Sequence, residues 1–207
     1  MQADLKIDIP GTFIQEREYI VRILLEDFLG LSLEINVQGM MDTYVIRIPG
    51  GKEIVVQDSF FSKVNSADQY LSERFIPSEP SYFGSILKGF ESTPVLYGFP
   101  DIEYNDNQII CRADLFASAF FMLTRWEEYV KKDRDEHNRF PGDKSLAYKN
   151  NFLERPVVNE YASILKQLLR HAGLQTESVK RRFSIIPTHD VDHFLYWTKE
   201  KRRKILK

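Results

Sequence analysis

Two carboxylates and two imidazoles stand within five residues at His189-Asp190-Val191-Asp192-His193. Such a packet suits metal-dependent hydrolysis. A divalent metal takes two or three N or O ligands and keeps a position open for water. A carboxylate left off the metal can accept that water's proton as a general base. The apolar run Phe183-Ser184-Ile185-Ile186-Pro187-Thr188 just before the packet reads as a strand, and Pro187 opposes a helix there. On an extended backbone Asp190 and Asp192 project to one side, and His189, Val191 and His193 to the other. The alternative is an acidic loop in which an aspartate caps a helix starting near Phe194.

A second polar group, Arg125, Glu127, Glu128, Asp133, Asp135, His137 and Arg139, crowds a helix end and the loop after it. With Trp126 stacking on a sugar ring it would line a groove, which makes Trp126, Glu127 and His137 substrate-binding candidates. The competing reading is an ion-pair network tying helix to loop, with Trp126 in the core. Lys199, Lys201, Arg202, Arg203, Lys204 and Lys207 form a basic run that reads as a solvated helix face rather than a nucleic-acid or lipid contact. Cys111 lies in a strand pattern as a small buried hydrophobe. His171 falls in the last turn of a helix, where a cation opposes the macrodipole.

These groups must be held by an α+β arrangement. Asp4 to Ile9 alternates and predicts an edge strand, broken by Pro10-Gly11-Thr12. From Glu16 a helix follows, with Tyr19, Ile20, Ile23, Leu24 and Phe28 on one face and Gly30 as its cap. Strands are expected at Leu33 to Val37, Tyr44 to Ile48 and Glu53 to Val56, with Gly50-Gly51 as the turn between the last two. Residues 62–92 read as loop with a short helix. Strands resume at Pro94 to Tyr97, Ile102 to Tyr104 and Gln108 to Cys111. Asp114 caps a helix running to about Lys132. A last helix begins at Pro156, carries Val157, Tyr161, Ile164, Leu165 and Leu168 as its stripe, and ends at Gly173.

The run Ile185 to His193 resembles the first motif of the polysaccharide deacetylase family, carbohydrate esterase family four, whose usual form is Thr-Phe-Asp-Asp-Gly. Thr188 and Asp190 match its Thr and its first Asp, while Val191 stands where the second Asp belongs and Asp192 follows one place later. The resemblance implies that Asp190 is the catalytic base and that Asp192 and His193 bind a divalent metal, usually zinc. The family's His-x-x-x-His motif lies further downstream, and His189 and His193 do not stand in for it. The segments Asp114 to Tyr129 and Arg139 to Glu160 resemble the uncharacterised domain that precedes the barrel in many bacterial proteins of this type. The implied organisation is an α+β accessory domain over residues 1–180, with a mixed or antiparallel sheet and packed helices. Residues 181–207 would then be the first strand and helix of a truncated β/α barrel. The parent would act on a carbohydrate, and the fragment alone would be inactive. A glycan-binding or dimerisation module without catalysis is the alternative, with Phe194, Leu195 and Trp197 as exposed groups that would drive a homodimer.

Composition bounds these readings. The 207 residues are 43% hydrophobic and 28% charged, as in ordinary globular domains. A net charge of −2 gives no general pull toward nucleic acid or anionic membrane. No apolar run approaches the roughly 18 residues that span a bilayer, and no leader is evident at Met1 to Lys6. One cysteine forms no internal disulfide and suits a reducing compartment, so a cytoplasmic location is expected.

Overall fold

Alternation in Leu5–Pro10 makes the first strand, β1, and buries Leu5, Ile7 and Ile9 completely. The computed structural model describes residues 5–39, 41–64, 70–174 and 183–190. Helix α1, Ile14–Arg22, starts at Phe13 in the left-handed region (φ 50°) and runs on as a π-helix over Ile23–Phe28. Gly30, at φ 68°, ends it. The chain then returns as β2, Leu33–Gln38, parallel to β1. With β2 on one side and β3 on the other, β1 is an interior strand, not the edge strand its alternation predicts.

Strands β3, Thr43–Arg47, and β4, Glu53–Gln57, form a hairpin beside β1. Short 3-10 turns follow, with a two-stranded pair of β5, Ser81–Tyr82, and β6, Pro94–Val95. Strands β7, Gly98–Tyr104, and β8, Gln108–Ala113, form a second hairpin. β8 docks parallel on β4 and completes a six-stranded mixed sheet ordered β2-β1-β3-β4-β8-β7.

The helices follow. Asp114 caps α2, Leu115–Thr124, by accepting from the Ala117 amide at 2.9 Å. The helix expected to reach Lys132 breaks instead at Arg125, whose φ of 53° separates α2 from α3, Trp126–Val130. A short α4, Leu146–Lys149, precedes α5, Val157–His171. The predicted α5 stripe is the buried one, and Gly173 leaves the helix at φ 104°. α2 packs on α1 and on α5, and α5 packs on the π-helical segment.

One face of the sheet is thereby sealed. Ile7, Tyr44, Ile46, Ile54, Val56 and Cys111 join the helices' apolar residues in a single core. The other face is polar and paired across strands: Lys6 with Glu34, Arg47 with Asp8 and Glu53, and Arg112 with Asp101 and Glu103. A sheet with antiparallel hairpins tolerates water on one side.

The chain divides after Glu177 into Met1–Glu177 and Ser178–Lys207. Residues 183–190 of the second unit are neither helix nor strand. The strand expected over Phe183 to Thr188 is therefore not formed: extended backbone becomes a strand when a neighbour pairs its N–H and C=O groups, and no described strand does so. No helix among the described residues is long and apolar enough to cross a membrane.

Candidate functional site

Thr188, His189 and Asp190 lie exposed on this irregular segment. Asp192 and His193, the expected metal ligands, lie outside the described residues, as does the basic run from Lys199. Among the described residues no group of three His, Cys, Asp or Glu side chains is arranged to hold a metal. The Asp190 side chain is thus open to solvent.

The second sequence candidate resolves into its competing reading. Trp126 is 4% exposed. It lies in an aromatic cluster, stacked on Phe60 at 6.1 Å and edge-on to Phe121 at 5.2 Å. Its ring has no free face for a sugar, and its indole N–H is buried with no hydrogen-bond partner among the described residues. Glu127 is buried too, where its carboxylate binds the Lys131 ammonium and accepts from the Leu146 amide at 2.9 Å. It anchors α4 to α3. His137 is exposed and sits 3.4 Å from Glu136. Asp135 accepts from the His137 and Arg139 amides, and those hydrogen bonds hold its carboxyl below the usual range. Trp126, Glu127 and His137 therefore do not share a groove; the first two are core and tether, the third a loop residue.

A buried polar centre lies instead beneath α1. Arg17 and Asp58 are both fully enclosed and pair at 2.7 Å. Arg17 also donates to the Tyr44 hydroxyl at 2.6 Å and to the Thr12 carbonyl at 2.5 Å. Its guanidinium lies 4.9 Å from the centre of the Phe61 ring. Asp114 joins from the far side, accepting from the Ser59 amide at 2.7 Å while it caps α2. Burial, and then the charge of Asp58, push its carboxyl up to about 7. Burial likewise drives the Tyr44 hydroxyl well above its ordinary range. These bonds tie α1, β3, the end of β4 and the start of α2 together. The sequence signal was present, because Arg17 stands at i of an i, i+3, i+4, i+7 set with Ile20, Val21 and Leu24. An arginine on an apolar stripe must find a buried acid.

An open depression of about 600 Å³ lies where the β3–β4 turn, the β7–β8 turn and the end of α5 meet. Backbone bonds fix its walls: Lys52 N–H to Ala172 O at 2.9 Å and Glu53 N–H to Asn107 O at 3.1 Å. His171 Nδ1 lies 2.9 Å from Gln167 O, so that nitrogen is the donor. The depression offers mixed donors and acceptors without a concentrated charge.

Residues 5–173 match the model of a family of unknown function (DUF7033). Neither the curated proteins nor the solved structures yield a match.

Proposed function

We propose, for a chain that belongs to the DUF7033 family, that residues 5–177 form the accessory domain of a metal-dependent polysaccharide deacetylase. On this reading Thr188 to His193 are the first motif of the catalytic domain that follows. The observation that carries it is the coincidence of boundaries. The family match ends at residue 173, the first unit ends at Glu177, and the motif opens at Thr188, beyond both.

The donor types suit zinc, which takes carboxylate oxygen and imidazole nitrogen. Asp192 and His193 would hold the ion, with further ligands from the rest of the catalytic domain. Bound zinc supplies Lewis-acid polarisation of an acetyl carbonyl. Asp190 would accept a proton on its carboxylate as general base. The folded unit before the motif contributes a rigid platform, held by the Arg17–Asp58 centre.

Calorimetry with zinc tests this on the present chain and on a version carrying the whole deacetylase domain. The expected result is weak or no binding by the present chain and tight binding by the longer one. In the longer protein Asp192→Ala should lose the metal, whereas Asp190→Ala should keep it and lose deacetylation of an acetylated glycan. Tight, Asp192-dependent binding by the present chain alone would sink the proposal, as would a longer protein that ignores zinc.

A further inference from the structure

The two edges of the six-stranded sheet are managed differently. β7 is interrupted by Pro100, which has no amide to offer, and by a register shift between Gly98 and Ile102. β5, β6 and the 3-10 turn at Gly84–Ile86 pack against it. β2 has none of these guards. Its six residues, Leu33-Glu34-Ile35-Asn36-Val37-Gln38, are regular, lack Pro and Lys, and pair in unbroken register with β1 alone among the described strands. Unguarded edges of this kind template pairing with another strand.

Hydrogen-bond direction shows what the edge presents. Leu5 N–H donates to Ser32 O at 2.9 Å, and Leu5 is the register partner of Leu33. In a parallel ladder this turns the amides of Glu34, Asn36 and Gln38 toward β1. The N–H and C=O groups of Leu33, Ile35 and Val37 therefore point outward. Their side chains lie on the helix-covered face, where Val37 is still 45% exposed. Glu34, Asn36 and Gln38 lie on the polar face.

We propose that β2 is a self-association edge, pairing antiparallel with β2 of a second copy about a twofold axis at Ile35. The argument for a second copy is self-complementarity. A twofold normal to the sheet keeps helix layers on one side, which requires residues of like facing to oppose each other. Centring on Ile35 does this and sets Leu33 opposite Val37 of the other copy, so every outward amide and carbonyl of those three residues finds a partner. On the polar face Glu34 then meets Asn36 of the other copy. Asn36 spends one amide hydrogen on Asp8 at 3.4 Å and keeps a second for that carboxylate. No like charges oppose. The only acid of the strand is neutralised within its own copy by Lys6 at 2.9 Å. The contact is narrow, so the dimer is weak and concentration-dependent.

The register makes the test sharp. Glu34 and Asn36 form the non-hydrogen-bonded pair, whose Cα atoms come within roughly 4.5 Å, inside disulfide range. Cys111, the native thiol, is buried. The full 207-residue chain carrying Glu34→Cys and Asn36→Cys together should form a covalent dimer under mild oxidation. Each single variant should not, because its cysteine faces a native residue. Sedimentation of the wild type should show mass rising toward a dimer with concentration, and Val37→Pro, which removes an outward amide, should abolish the rise while circular dichroism stays native. A wild type that stays monomeric at all concentrations overturns the proposal, including the case in which β2 takes up an extended peptide instead. Equal cross-linking by single and double variants overturns the register.

Discussion

Asp114 carries the molecule's most readable dependence on acidity. Its carboxyl binds a proton up to about pH 7 in the fold but only up to about 4 in an unfolded chain. Between those values the folded state holds more protons, so this group's contribution to stability falls as pH rises from about 4 to 7, by a few kcal/mol. Asp58 just after β4, Arg17 of α1, Tyr44 of β3, Tyr97 just before β7 and Cys111 of β8 are the charged or titratable groups that face it. Urea denaturation of wild type and Asp114→Asn across pH 4–8 is the check. The variant should lose most of that slope, and a slope unchanged by the substitution would assign it elsewhere. Legibility at this scale was uneven. Asp114 was read as a helix cap, and the structure makes it one. Its second duty toward Ser59 was hidden because Ser59 is 55 positions away in sequence. Arg17 is not visible to a periodicity of apolar residues, because it is the cation on that stripe.

Local patterns carried furthest among the elements. The α5 stripe, the Gly50-Gly51 turn and the β7–β8 hairpin follow from spacing and turn residues, which need no knowledge of distant neighbours. Features set by tertiary contact were not legible. The break at Arg125 has no glycine or proline to announce it, and it swings Trp126 into the cluster with Phe60 and Phe121. The π-helical stretch buries Leu25 completely, with Phe28 only partly buried against the core, and Tyr19 of α1 is 44% exposed. Gly98 gives an element-scale prediction. It sits at φ 84° at the start of β7, where an added Cβ would overlap the Arg112 carbonyl and crowd the Asp114 amide at 2.8 Å. Gly98→Ala should cost about 2–4 kcal/mol, combining left-handed strain with overpacking. A melting temperature within a degree of wild type would show that the β7 bulge absorbs the methyl.

At the scale of the molecule, the sheet is two hairpin systems from separate stretches of chain. β1 to β4 arise from residues 5–57 and β7 and β8 from residues 98–113, and they exchange hydrogen bonds along the β4–β8 seam. On the first side β3–β4 closes a short loop, β1–β2 closes the crossover, and β1–β3 reaches from Lys6 to Arg47. The seam closes the longest span, from Glu53 to Gln108, and loop closure must be met before its contacts return any stabilisation. The order of assembly follows: β1, β3 and β4 gather around α1 first, and the β7–β8 hairpin arrives late as a preformed unit. Stopped-flow refolding reads this directly. Ile46→Val, inside the early part, should slow folding, whereas Ile109→Val, on the seam, should chiefly speed unfolding. The opposite partition would put the seam in the nucleus. On the expected order, a ribosome that has released residues 5–57 has already delivered the four strands on which everything later is laid.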